Sequence, residues 1–193
     1  MTQAITQSKL TFEQYLELPD DGRRTEFVNG EVIEVTEPSP QYIDVVALLG
    51  DLLKAHLRVH KPNLVVKSGP GIQISQTERE DNSRDPDLIV CTWDQWQTMA
   101  NQTKALFLKG NSPLLAIEVV SPGTDKKDTR NLLPEYASAK VSEYWVVNPI
   151  AKSVSVWLLQ GNEYRLKGEF KSDRPVESDL LQEWDATAVA MLG

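Results

Sequence analysis

The stretch that most constrains the fold is Leu114-Leu115-Ala116-Ile117-Glu118-Val119-Val120, a short apolar run interrupted by one carboxylate. Pro113 and Pro122 bracket it. A run this short and this apolar reads as a central strand covered on both faces. A proline inside it would have argued against that position. A buried, unpaired carboxylate is expensive, so Glu118 must be neutral, hydrogen-bonded, paired with a cation or bound to a metal. The bland alternative is a hydrogen-bonded glutamate near a strand end, and the run alone does not choose between the two.

The elements on either side give the class. Thr11 with Gln14 three residues on has the form of a capping box, opening a helix that Pro19-Asp20-Asp21-Gly22 ends. Asn29-Gly30 between Thr25-Val28 and Glu31-Val35 is a strong two-residue hairpin signal. Residues from about Gln41 to His60 read as an amphipathic helix with Val45, Leu48, Leu49, Leu52 and Leu53 on its apolar stripe. Lys54, Arg58 and Lys61 give that helix one basic face, solvated or tracking a phosphate backbone. His56 and His60 read as surface residues. Short strands are expected at Leu64-Val66, Ile72-Ile74 and Pro86-Cys91, with a polar loop over 76–85. The segment 92–105 is expected to be helical only at its start, with Trp93 and Trp96 packing inward. A helix expected from near Thr124 to Ala139 must kink at Leu133 or start late, because Pro134 removes a hydrogen bond and disfavours helical angles at Leu133. Glu143-Val147, Val154-Leu158 and Tyr164-Gly168 read as an antiparallel C-terminal meander, followed by a short final helix. The sum is one α/β domain over 1–193 with a mixed sheet, the first nine residues forming a tail.

Composition narrows the function. With 28 acidic against 20 basic residues the net charge is −8, which counts against a general nucleic-acid coat protein. It leaves room for an enzyme with a local basic groove. The single cysteine, Cys91, follows Leu88-Ile89-Val90 and reads as a buried small hydrophobe. There is no material for a disulfide framework or a cysteine metal cluster. No apolar run is long enough to span a membrane and the first residues are polar, so the expected location is the cytoplasm.

Asp87 opens one apolar strand and Glu118 lies within another. Two acids on adjacent strands could share a divalent cation, and magnesium typically takes one or two carboxylates with water and phosphate. Spacing alone leaves two other readings open: structural acids, and an acid–base pair hydrolysing a sugar or small molecule.

Five motifs in order carry a resemblance. They are Thr11-Phe12-Glu13-Gln14-Tyr15-Leu16, Arg24-Thr25-Glu26-Phe27-Val28-Asn29-Gly30-Glu31, Pro86-Asp87-Leu88-Ile89-Val90, Ile117-Glu118-Val119-Val120-Ser121-Pro122 and Glu143-Tyr144-Trp145-Val146-Val147-Asn148-Pro149. Together, over about residues 10–185, they resemble the bacterial Uma-type restriction endonuclease family of the PD-(D/E)XK nuclease superfamily. The resemblance implies a restriction-endonuclease-like core, a mixed sheet with flanking helices. It implies that Asp87 and Glu118 are metal ligands, with the Val119 carbonyl a third, and that Glu26 is an accessory acid. The implied reaction is hydrolysis of DNA phosphodiester bonds with Mg2+ or Mn2+, and by analogy with related nucleases the implied assembly is a homodimer.

One departure stands out. The superfamily's strand lysine is Val120 here, as is usual in this family, whose basic residue lies on the next helix in an Asp-x-x-x-Lys-x-x-x-Tyr pattern. In this chain Asp128 and Tyr136 match, but the lysine slot holds Leu132, which cannot orient water or stabilise charge on a phosphate. Lys126, Lys127 or Arg130 could substitute. Arg130 lies about 200° round an ideal helix from Leu132 and would need a distorted one. The alternative is a catalytically impaired relative that binds nucleic acid or a protein partner.

Overall fold

A computed structural model describes residues 9–19, 22–35, 38–77, 80–121 and 131–193. Strands β1 (Thr25–Val28), β2 (Glu31–Glu34), β4 (Gly71–Thr77), β5 (Glu80–Arg84) and β7 (Leu106–Phe107) form one sheet in the order β2-β1-β5-β4-β7. Strands β3 (Leu64–Lys67), β6 (Leu88–Thr92), β8 (Leu115–Val119), β9 (Glu143–Asn148), β10 (Ser153–Gln160) and β11 (Glu163–Lys171) form a second, ordered β11-β10-β9-β8-β6-β3. The described helices are α1 (Phe12–Glu17), α2 (Pro40–His60), α3 (Trp93–Gln97), α4 (Leu133–Ser138) and α5 (Ala188–Leu192). Each sheet is mixed, with β8 and β9 parallel in one and β4 and β7 parallel in the other. The α+β class therefore matches the expectation, while the strands divide between two sheets instead of one.

The apolar run of the sequence is β8, near the centre of the larger sheet, with Leu115, Ala116, Ile117 and Val119 buried. Its alternation explains why both faces are covered. Leu115, Ile117 and Val119 join Val45, Leu49, Leu53 and Leu57 of α2, together with Trp184, Ala188 and Met191 from the C-terminal segment. Ala116 faces the other way, towards Ile72 and Ile74 of β4 and Tyr136 of α4. Burying one leucine such as Leu49 contributes about 1.5–3 kcal/mol, so α2 is the principal cover of one face.

Local chemistry accounts for the element ends. Thr11 and Gln14 form the expected capping box on α1. Ser39 Oγ accepts from the Tyr42 amide, and Pro40 opens α2. Asn29 and Gly30 have φ values of 52° and 83°, the two positive angles a tight hairpin needs. The β9–β10–β11 run is the expected antiparallel meander.

Three expectations are corrected. The polar segment taken for a loop contains β5. Its Asn82 and Ser83 are buried and their side chains bond the Asn29 and Phe27 amides of the neighbouring hairpin, at 2.8 and 3.1 Å. Such a strand carries no apolar alternation to read. Trp93 does not pack inward: it is 49% exposed, and short α3 buries none of its residues. Trp96 does pack against the core cluster of Ile72 and Ile74, half-buried, with Lys67 over its ring. His56 is not a free surface residue, because the C-terminal segment folds back over α2 and sets Trp184 edge-on to it, centroids 5.2 Å apart. The break expected at Leu133-Pro134 is present: Asn131 is helical, Leu132 is a turn, and α4 begins at Leu133 with Pro134 in its first turn. Its earlier part, 122–130, lies outside the described residues.

Candidate active site

The register between β6 and β8 pairs Leu88 with Ile117 and Ile89 with Ala116. Its next step sets Asp87 opposite Glu118. Both share the face of Ile89 and Ala116, away from α2. Asp87 is 6% exposed and Glu118 half-buried. Asp87 Oδ2 accepts the Val119 amide at 2.6 Å, and Oδ1 accepts the Tyr42 hydroxyl from the first turn of α2. Glu118 Oε1 accepts the Tyr136 hydroxyl at 2.6 Å. Among the described residues no donor reaches Glu118 Oε2.

The smaller sheet supplies the rest. Phe27 pairs with Ser83, so the following step of that register sets Glu26 opposite Arg84. Arg84 Nη1 donates to Glu26 at 2.7 Å, while Nε and Nη2 donate to Glu135 of α4 at 2.6 and 3.0 Å. Glu26 also accepts the Asp85 amide at 3.4 Å. Arg24, two residues before Glu26, donates from Nε to Asp85 at 2.7 Å and lies 3.7 Å from Asp87. The chain crosses between sheets through Arg84-Asp85-Pro86-Asp87, so the acids gather at that crossing.

These groups line one cavity of about 480 Å³. Asp87, Glu118, Glu26 and Val119, chosen from the sequence, all face it, and so does Leu132. Lys54, Arg58 and Lys61 do not; Lys54 lies about 18 Å along α2 from Tyr42 by helical rise and pairs with Asp51. Lys126, Lys127 and Arg130 fall outside the described residues. Sequence reasoning gave no role to Arg24, Arg84, Tyr42, Asp85 or Glu135. Two signals bore on them: Arg24 and Glu26 alternate onto one strand face, and the charged pair Arg84-Asp85 stands directly before the Pro-Asp motif.

The electrostatics are those of crowded acids. Burial, and then the charge of Asp87, push the Glu118 carboxyl well above the usual range. Burial also raises Asp87, against the opposing pull of Tyr42, Val119 and Arg24. Burial raises Asp85 as well. Burial works against the charge of Arg24, yet the Asp85 carboxylate holds its pKa above the ordinary value. Burial and the Glu118 charge keep the Tyr136 phenol neutral. Elsewhere, burial pushes the Cys91 thiol up to about 11, the behaviour of an inert core cysteine.

The donor set fits a hard divalent cation. Asp87 and Glu118 offer oxygen only, they repel one another, and a shared cation would relieve that repulsion. Among the described residues no three His, Cys, Asp or Glu side chains are grouped to hold a metal. A cation here would thus have two side-chain ligands, the remainder coming from backbone, water and substrate, as magnesium allows.

The family model described as "Putative restriction endonuclease", Uma2, matches residues 12–190. The chain belongs to this family. The match spans the region over which the five motifs suggested it. The fold is also similar to the crystal structure of a "putative nuclease belonging to DUF820" from Anabaena variabilis ATCC 29413. That likeness has a TM-score of 0.73 and 18% identity over 95% of this chain and 97% of that one. At this identity it speaks to the fold alone. No curated protein matches. No described helix is long and apolar enough to cross a membrane.

Proposed function

We propose that this Uma2 member is a metal-dependent endonuclease that hydrolyses DNA phosphodiester bonds. The observation that carries the reading is the placement of Asp87 and Glu118 opposite each other on neighbouring strands, at a cavity they share with Glu26. Asp87 and Glu118 would hold Mg2+ or Mn2+, with the Val119 carbonyl a third ligand. When bound, a divalent cation acidifies water and offsets charge developing on a phosphate.

The remaining steps belong to the chain. Tyr42 and the Val119 amide fix the Asp87 carboxylate, and Tyr136 fixes that of Glu118. Arg84 and the Asp85 amide hold Glu26 at the cavity wall, where it can accept a proton from an attacking water. Arg24, between Asp85 and Asp87, is placed to meet a phosphate oxygen. Glu135 and Glu26 occupy the Arg84 guanidinium, leaving it a positioning group.

Leu132 on the cavity wall favours a second reading, a relative that binds metal and DNA but turns over poorly. One experiment addresses both: incubation of supercoiled plasmid with purified protein and Mg2+ or Mn2+. Metal-dependent nicking that disappears in Asp87→Ala and Glu118→Ala supports the first reading. DNA binding without nicking, with nicking gained in Leu132→Lys, supports the second. Hydrolysis of a small-molecule ester or glycoside without metal would contradict both.

A further inference from the structure

The expected basic face on α2 stands away from the cavity, which leaves open how a polyanion would be held beyond the reacting phosphate. A second cavity, of about 260 Å³, adjoins the first and shares Arg24 and Asp85 with it. Resting on the nuclease reading, we propose that the substrate strand leaves the active cavity past Arg24 and enters this second cavity, where Lys104 takes a flanking phosphate.

The charge pattern supports this. Lys104 is half-buried with Nζ 5.1 Å over the Tyr15 ring. It pairs with no carboxylate among the described residues, so the ring steadies the ammonium without neutralising it. Arg23 lines the same cavity, and its 3.2 Å pair with Glu34 is a surface pair, each side chain 60% exposed. Pairs of that kind are worth about 0–1 kcal/mol and yield to a phosphate. Asp85 is the one carboxylate among the described lining residues, and Arg24 is bonded to it. Arg24 itself is 40% exposed, and among the described residues its Nη1 contacts only the Tyr42 hydroxyl, at 3.5 Å.

The shape agrees. Gly69 and Gly71 line the cavity. Gly69 has φ +91° and open space where a Cβ would stand. At Gly71 a Cβ would come within 2.7 Å of Leu106. The bare backbone at Gly69 leaves room for a sugar–phosphate chain, whereas Gly71 lets Leu106 pack close, and a local positive groove in a chain of net charge −8 is the arrangement that focuses a polyanion.

The test is binding of a fluorescein-labelled DNA duplex by wild type in EDTA, read by anisotropy across a salt series. Each lost phosphate contact lowers the slope of log affinity against log salt by about 0.9. Lys104→Gln is expected to lower the slope by that amount and weaken binding roughly 3-fold to 10-fold. Lys104→Arg should retain wild-type values, and Lys54→Gln should leave the slope unchanged. If wild type binds and Lys104→Gln keeps its slope, the path is wrong and the nuclease reading survives. If wild type shows no binding at low salt, both fall.

Discussion

Replacing Glu118 by glutamine should make the protein more stable and less able to bind metal at the same time. An acid whose folded pKa is raised keeps a proton in the native state that the unfolded chain releases. Its contribution is favourable while both states are protonated and is lost as pH rises from the ordinary carboxylate range through the folded value. Glu118 is raised by burial and by Asp87, so it makes metal-free protein less stable at pH 8 than at pH 5. One retained proton gives a slope of about −1.4 kcal/mol per pH unit within that window. Glutamine keeps the oxygen that accepts from Tyr136 and removes both the titration and the repulsion with Asp87. Urea unfolding in EDTA at several pH values measures the difference. Glu118→Gln should be more stable than wild type at pH 8, by about 1 kcal/mol or more, equivalent to roughly 2–4 °C per kcal/mol for a chain of this size. Its pH slope should be shallower, though not flat, because Asp87 and Asp85 are raised too. Mg2+ should stabilise wild type, by about 2.7 kcal/mol at one hundred times its dissociation constant, and leave the variant unmoved. A variant no more stable than wild type at pH 8, with an unchanged slope, would refute the picture of two repelling buried acids.

Other outcomes follow from the same geometry. Arg84→Met removes the cation that Glu26 and Glu135 share, their side chains being 24% and 8% exposed, and should cost about 3–5 kcal/mol in urea unfolding. Adding Glu135→Gln should recover part of it, and a loss under about 1 kcal/mol would show that the network is not buried. Gly30→Ala places a Cβ at φ +83° and 2.6 Å from Lys9 Cβ. It should cost more than about 1 kcal/mol, and an unchanged midpoint would contradict the hairpin geometry. Leu132→Lys puts an ammonium on the cavity wall and should raise metal-dependent nicking at least about tenfold, since a well-placed charge-stabilising donor is worth about 10²–10³. Equal or lower activity would mean that the slot does not face the reacting phosphate.

Much of the fold was legible because local chemistry and tertiary demand agree. Asn29-Gly30 needs its two positive φ angles, α2 has its cap and stripe, and β8 is too apolar to lie anywhere but between two layers. Of the candidate site, Glu118 stood out because it interrupts a buried strand, where a carboxylate is costly, and Asp87, just before β6, stood out through the family resemblance. Other features depended on partners far away in sequence. β5 is polar because Asn82 and Ser83 bond the amides of β1 and the hairpin turn. Arg84 gains its role from Glu26 and from Glu135, 51 residues on. Trp93 resembles a core residue by spacing, but five-residue α3 leaves it outside. Arg24 and Arg84 lining the cavity needed the sheet registers before they could be seen.

Metal binding at Asp87 and Glu118 is the point on which the reading turns, and isothermal titration of Mn2+ into the metal-free protein measures it directly. The expected result is saturable binding to wild type that disappears in both Asp87→Ala and Glu118→Ala while the circular dichroism spectra stay unchanged. Binding that persists in both variants, or none in wild type in the presence of DNA, would contradict it.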